Sequence, residues 1–301
     1  MKAVQYSAYG GPEVLHVVDV DRPDPGPGEV RIKVRASGVN PSDWKRRAGL
    51  YRDFEEVSFP SGVGVKASGV VDRVGPGVVD AAAGDAVFGF GRNTAAEYAV
   101  LTHWVRKPDV LSFEAGGGVP VAFETASRSL DDLGVQPGET LLVSGAAGGI
   151  GSVLLQIARQ RGIAVIGTAS PQKHDYLRSL GSIPTTYGPG LADRVRQLAF
   201  HGIDRALDVA GSGIIPELIA ITGDASRVLS VADFSARQYG ARFSSGPPKD
   251  PVGVLFEAVR LCSWGLFSLT VERNFPLEQT ALAHETSASG HVTGKLVIAV
   301  S

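Results

Sequence analysis

Between residues 30 and 35 the chain alternates strictly, with Val30, Ile32 and Val34 apolar and Arg31, Lys33 and Arg35 charged. That period of two predicts a strand with one wet face. Further short apolar stretches, over 14–20, 69–74 and 86–90, predict strands as well. They are separated by dense turn chemistry at Asp21-Arg22-Pro23-Asp24-Pro25-Gly26-Pro27-Gly28, Gly75-Pro76-Gly77 and Gly84-Asp85. Many short strands between Gly/Pro turns predict an all-β, barrel-like module in the first third. Near residue 119 the pattern changes to alternating strands (140–144, 164–168, 205–209, 227–231) and helices starting at Gly149, at Pro171 and after Pro216. Alternation of this kind predicts a parallel, doubly wound sheet, so the fold class is α/β with two modules. A last strand over 295–300 has no helix after it, and the pattern alone assigns it to neither module.

Length agrees with two domains, since 301 residues is about twice the usual 150. With 44% hydrophobic and 20% charged residues, the composition excludes a disordered or fibrous chain. Lys and Arg total 29 against 31 Asp and Glu, so no basic excess predicts binding to nucleic acid or to a membrane surface. Residues 252–271 are the most apolar late stretch, but Glu257 and Arg260 interrupt them and predict a buried helix instead of a membrane span. Cys262 is the single cysteine, which excludes an internal disulfide and fits a reducing, cytoplasmic setting. The N-terminal Met1-Lys2-Ala3-Val4-Gln5-Tyr6 has no signal-peptide apolar run. None of the six histidines stands at H-x-x-x-H spacing, and no cysteine pair exists, so no metal site is expected.

The strongest chemical signal is Leu141-Leu142-Val143-Ser144-Gly145-Ala146-Ala147-Gly148-Gly149-Ile150-Gly151. A buried strand runs into A-x-G-x-x-G (Ala146, Gly148, Gly151) and directly into a helix whose apolar face carries Val153, Leu154, Ile157 and Ala158. Small residues permit the tight turn, Gly148 lets backbone N–H groups reach a pyrophosphate, and Gly151 allows close helix–strand packing. A glycine turn with no ligand is the competing reading, and the flanking strand and helix favour the dinucleotide. Past the next strand, NAD binders place an acid for the ribose 2′-hydroxyl. Here the chain reads Ala169-Ser170-Pro171-Gln172-Lys173, a hydroxyl and a cation without a carboxylate, which favours NADP(H). By itself Lys173 also reads as a solvated surface lysine.

Several further stretches carry a resemblance. They are Gly38-Val39-Asn40-Pro41-Ser42-Asp43, Val74-Gly75-Pro76-Gly77-Val78, Gly84-Asp85-Ala86-Val87-Phe88-Gly89 and Ala95-Ala96-Glu97-Tyr98. With Gly138-Glu139-Thr140, the glycine loop and Gly294-Lys295-Leu296-Val297, they span nearly the whole chain. The chain resembles the zinc-independent, zeta-crystallin-like quinone oxidoreductases of the medium-chain dehydrogenase/reductase superfamily. The resemblance implies a GroES-like catalytic domain over 1–118 and 268–301, with a Rossmann NADP-binding domain over 119–267 and the nicotinamide in the cleft between them. A homodimer is also implied. Zinc-dependent relatives carry a Cys where this chain has Asn40 and G-H-E where it has Gly64-Val65-Lys66, so the resemblance implies a metal-free enzyme. It would transfer hydride from NADPH to a small-molecule quinone or enone, with the proton supplied by solvent. Two alternatives stay open: an alkenal or enoyl reductase, and a non-enzymatic, crystallin-like NADPH-binding protein.

By the same resemblance Asn40 contacts nicotinamide or substrate, Tyr51 lines the pocket and Thr125 lies near the nicotinamide. Ala146, Gly148, Gly149, Ile150 and Gly151 hold the pyrophosphate, and Ser170, Lys173 and Tyr187 surround the 2′-phosphate. Plainer readings compete: Asn40 as a helix cap, Tyr51 as rim packing, Tyr187 as a strand-end core residue. Two positions depart from the family pattern. A second pocket tyrosine is Lys45 here, and an acidic residue is Lys66. Both lysines are expected to keep their heads in solvent, and the segment 244–251 is expected to be a plain connection.

Overall fold

The computed structural model describes residues 1–53 and 55–300. In chain order it forms β1 (Lys2–Tyr6), β2 (His16–Asp19), β3 (Val30–Val39), α1 (Pro41–Arg47), β4 (Ser61–Gly62), β5 (Lys66–Val74), β6 (Ala86–Arg92), β7 (Tyr98–Arg106) and α2 (Phe113–Leu133). There follow β8 (Thr140–Ser144), α3 (Gly149–Gln160), β9 (Ala164–Thr168), α4 (His174–Ser179), β10 (Ile183–Thr185), α5 (Leu191–Leu198), β11 (Arg205–Asp208), α6 (Ile215–Thr222), β12 (Val228–Ser230) and β13 (Arg242–Phe243). The chain continues through α7 (Pro251–Ser263), β14 (Val271–Pro276), α8 (Thr280–Ala288) and β15 (Lys295–Ala299). Two units result: Met1–Val121 with Asp250–Ser301, and Ala122–Lys249.

The first unit is built on β3. Its sheet runs β14-β15-β3-β5-β6-β7, and β7 also pairs back onto β3. β3 is ten residues long and shares one edge between two partners: Val30–Lys33 pair with β7, and 36–39 pair with β15. Register shifts at Arg31/Ile32 and Val34/Ala36 bend it, which is how a bulged strand turns the corner of a barrel. Val30, Ile32 and Val34 are fully buried, while Lys33 and Arg35 are exposed, as the alternation predicts. Arg31 departs from the pattern: it is buried, and Asp72 accepts from its Nε and Nη2 at 2.9 and 3.0 Å. One apolar core joins Val4, Tyr6, Ile32, Val71, Val87, Leu101, Phe275 and Ile298. The last strand, which the pattern left unassigned, lies antiparallel to β3 in this unit.

Two elements differ from expectation. Residues 250–267 were expected with the second module, but α7 packs against β7 of the first unit. Nor is α7 a fully buried helix. Leu255, Ala258, Leu261 and Cys262 are buried, while Phe256 and Trp264 are exposed, so it lies on the surface with one apolar face inward. Gly116-Gly117-Gly118 and Pro120, a run with no helical signal, fall inside the 21-residue α2. The glycines are there for close approach: a Cβ on Gly117 would stand 2.7 Å from the Ala36 carbonyl oxygen, and one on Gly38 would stand 2.5 Å from the oxygen of Gly117.

The second unit is a six-stranded, wholly parallel sheet in the order β10-β9-β8-β11-β12-β13. From β8 the chain builds outward through β9 and β10, then returns to the other side of β8 for β11, β12 and β13. That reversal is the topological switch point, where doubly wound sheets bind ligands beyond their C-terminal strand ends. Leu142, Ile166, Val195, Ala206, Ile215, Leu218 and Val228 form its apolar core. Among the described residues no helix is long and apolar enough to cross a membrane.

Candidate functional site

At the end of β8 the backbone turns through Gly145, whose φ of +80° is a left-handed conformation that suits glycine. Ala146 donates its N–H to the Thr168 carbonyl at 3.1 Å, which ties the loop to the end of β9. Gly151 sits where a Cβ would meet Gly145 O at 2.5 Å and Ala146 Cα at 2.6 Å, so helix and loop pack backbone on backbone. Gly148 is different. Within 4 Å its Cβ position meets Gly145 O alone, at 3.4 Å, so a side chain there would fill open space above the loop. Gly148 is also the N-cap of α3, and no side chain caps that helix. An uncapped helix start with free space above it is an anion cradle, and it fits the diphosphate of a dinucleotide.

β9 and β10 end together, with Thr168 paired to Thr185. Ser170 and Tyr187 therefore stand two residues past the same pair of strand ends. Ser170 is the N-cap of the turn Pro171–Lys173 and is half-buried, as is Lys173. Tyr187 is 54% exposed, which removes the core-residue reading. Ser170, Lys173 and Tyr187 thus share one side of the sheet's C-terminal edge.

Thr125 is buried on α2, and its Oγ1 donates to Glu124 Oε2 at 3.3 Å. Glu124 in turn accepts from Arg128 Nε at 2.7 Å. Arg128 bonds the Ser244 hydroxyl, and that hydroxyl donates to Asp132 Oδ2 at 2.6 Å. The segment 244–251 is therefore anchored to α2 at its first residue, more than the plain connection expected.

In the first unit Asn40 is the N-cap of α1, so the cap reading holds. Its N–H donates to Asp43 Oδ2 at 2.7 Å, and its side-chain Oδ1 accepts from Lys295 Nζ at 2.7 Å. Lys295 also donates to the Val39 carbonyl at 2.7 Å. Lys66, expected with its head in solvent, is wholly buried and donates to the Gly38 carbonyl at 2.8 Å. The bare Cα of Gly38 makes room for it, since a Cβ there would stand 2.8 Å from Lys66 Cε. Arg47 and His284 are buried as well. Sequence reasoning missed Asp43, His284 and Lys295; the one signal available was the apolar, regular setting of Lys295 in its strand.

Burial sets the ionisation of this cluster. It pushes Lys66 down to about 8, with Asp43 opposing. Burial, then the charge of Lys66, holds Lys295 well below the usual lysine range, again against Asp43. His284 is pushed down to about 4 by burial, with Asp43 opposing and Arg47 and Lys66 reinforcing. Asn40 Nδ2, Asp43 Oδ1, two guanidinium nitrogens of Arg47 and His284 Nδ1 are buried with no hydrogen-bond partner among the described residues. Lys45 is half-buried beside the Trp44 ring, with Nζ 5.7 Å from its centroid. Tyr51 follows α1, half-buried, its hydroxyl held above the usual range by burial, with Arg46 opposing and Asp43 and Glu55 reinforcing.

The Alcohol dehydrogenase GroES-like domain family matches residues 26–119, and the Zinc-binding dehydrogenase family matches residues 190–298. A quinone oxidoreductase of Pseudomonas aeruginosa is 30% identical over 99% of this chain and 99% of its own length. The chain belongs to the quinone oxidoreductase family of the medium-chain dehydrogenase/reductases. Among solved members of this fold, an NAD-dependent alcohol dehydrogenase is 31% identical, with a TM-score of 0.89 over the whole of both chains. A mycobacterial protein solved as an NADPH complex is 25% identical, with a TM-score of 0.87 over 99% of this chain and 100% of its own. The pikromycin polyketide synthase component of Streptomyces venezuelae is 44% identical over 53% of this chain, which spans only 4% of that synthase. Among the described residues no three His, Cys, Asp or Glu side chains stand close enough to share a metal ion.

Proposed function

We propose that this chain is an NADPH-dependent oxidoreductase that transfers hydride, without a metal, to a quinone or another α,β-unsaturated carbonyl acceptor. The observation that carries the reading is the uncapped start of α3 above Gly148 at the switch point of a parallel sheet. When bound, the reduced nicotinamide supplies the hydride; the protein supplies position and electrostatics. Ala146, Gly148, Gly149, Ile150 and Gly151 would hold the diphosphate through backbone N–H groups. Ser170, Lys173 and Tyr187 would hold the 2′-phosphate, with the Lys173 ammonium favouring it over a bare hydroxyl. Thr125 would support the nicotinamide, Tyr51 would line the acceptor pocket, and Asn40 would donate from its amide. A buried ammonium at position 66 repels a cation, which supports metal independence. The homodimer and the cytoplasmic location belong to the same proposal and rest on the family resemblance and the cysteine content.

The test is direct. Mixed with NADPH and a 1,4-naphthoquinone, the protein should consume the reduced-nicotinamide absorbance, and NADH should serve at least about tenfold less well. Turnover confined to enals or enoyl thioesters moves the reading to an alkenal or enoyl reductase. Tight NADPH binding with no turnover on any acceptor would leave a binding protein. Sedimentation velocity tests the dimer.

A further inference from the structure

Asn40 is the one predicted substrate-facing residue whose side chain the structure fixes at one end and leaves open at the other. Its Oδ1 accepts from Lys295 Nζ at 2.7 Å, while Nδ2, almost wholly buried, has no partner among the described residues. Lys295 Nζ gives one N–H to the Val39 carbonyl and another to the amide, so the amide oxygen is the end that faces it. The rotamer of the asparagine is thereby decided. The capping box at the start of α1 turns the same oxygen toward the Asp43 N–H, so Lys295 adds a second donor at that end and keeps Nδ2 as the end left for the substrate.

Lys295 is itself rigidly held. It lies in β15, whose neighbour Leu296 pairs with Val39 of β3, and its second bond goes to the Val39 carbonyl at 2.7 Å. Its stem passes the bare Cα of Gly118 on α2, where a Cβ would stand 3.4 Å from Lys295 Cγ. Lys66 is buried against the neighbouring carbonyl of Gly38, and Asp43 is the nearby carboxylate that offsets both cations. A donor on the amide oxygen also polarises the amide and strengthens its N–H as a donor.

We infer that Lys295 is a positioning residue for hydride transfer: it holds Asn40 so that Nδ2 donates to the carbonyl oxygen of the acceptor. This rests on the reading of Asn40 given under the proposed function. The acceptor carbonyl is where such a donor counts most. As hydride adds to the acceptor carbon, an electron pair moves onto that oxygen, which becomes anionic before solvent protonates it. A fixed N–H is worth more to the developing oxyanion than to the neutral ground state. Lys295 acts through Asn40 and touches neither substrate nor cofactor.

The test is a double-mutant cycle on quinone turnover with Lys295→Met, Asn40→Ala and the double variant, together with NADPH affinity measured by fluorescence without acceptor. Expected for Lys295→Met is a fall in kcat of between about tenfold and a hundredfold, with NADPH affinity within about twofold of wild type. The double variant should be no worse than Asn40→Ala alone, because the lysine acts through the amide. Losses that multiply in the double variant overturn the proposal. A loss of NADPH affinity in place of kcat overturns the acceptor assignment, because Nδ2 would then serve the nicotinamide carboxamide. Lys295→Gln keeps an N–H at that place and should recover part of the rate; it also covers a Lys295→Met variant that does not fold. If wild-type protein reduces no quinone or enone, the proposed function fails by itself. The positioning claim is then read from the side-chain NH2 lines of Asn40 in a 15N spectrum, which should move and exchange faster in either Lys295 variant. Unmoved lines overturn it.

Discussion

The two units place their polar chemistry in opposite ways. In the second unit the predicted diphosphate site is carried by the backbone: an uncapped α3 start, a left-handed Gly145 and an open Gly148, all within seven consecutive residues. In the first unit the polar chemistry is carried by buried ionisable side chains drawn from four separate stretches, Asn40 to Arg47, Lys66, His284 and Lys295. A backbone cradle costs little to build and tolerates change around it, as long as its glycines stay. A buried cluster with one carboxylate among several basic groups is held under electrostatic load, so each member depends on the others.

Removing the carboxylate should show the largest effect. Asp43→Ala leaves Lys66 and Lys295 buried without the carboxylate that opposes their loss of charge, and strips the α1 N-terminus of its bond to Asn40 N–H. A loss of about 3–5 kcal/mol is expected, read as a lower urea midpoint. A smaller loss would mean that the cations discharge in the folded protein.

Stability should next depend on pH in two windows. His284 binds its proton less tightly when folded, at about 4 against an ordinary 6.5, so the unfolded chain takes up more protons between those values. Stability therefore rises with pH from about 4 to 6.5 and is lost as pH falls through that range. Lys66, at about 8 against 10.5, gives a second rise between those values. Each is on the order of 3 kcal/mol, read from urea midpoints across pH. Lys66→Met should shrink the upper rise to the part that Lys295 contributes and raise stability at neutral pH.

The backbone cradle should respond more mildly to a single methyl. Gly151→Ala pushes a Cβ against Gly145 O and Ala146 Cα and should cost about 1–3 kcal/mol, with NADPH affinity falling alongside. Gly148→Ala should leave stability nearly unchanged and weaken NADPH binding, because its Cβ stands in open space. Equal effects at the two glycines would contradict the cradle. The smallest effect is expected from Lys173→Ala: roughly tenfold in NADPH affinity, with NADH affinity unmoved, by calorimetry.

The same contrast explains what was legible in the residues. β8, α3 and β9 could be read to within a residue, because strand, glycine loop and helix signals are local and consecutive. The alternation in β3 was equally plain. Lys66 was misread because a lysine usually keeps its head wet, and nothing near it in the chain shows the vacancy left by Gly38. α2 was invisible because Gly116-Gly117-Gly118 and Pro120 argue against a helix locally, while tertiary contact with β3 demands that close approach. Asp43 and His284 meet through packing of α1 on α8, a pairing no short-range pattern encodes.

The seating of β15 beside β3 also dictates an order of assembly. The second unit is one uninterrupted stretch and can form while the rest of the chain is still being synthesised. The first unit cannot: one half of a β3 edge stays unpaired until residues some 256 positions later arrive. Until then that edge is a template for other strands, and nascent chains stalled before β15 should be the aggregation-prone species. The same pairing brings Lys295 to Asn40, so the charged cluster is completed only when β15 is seated against β3.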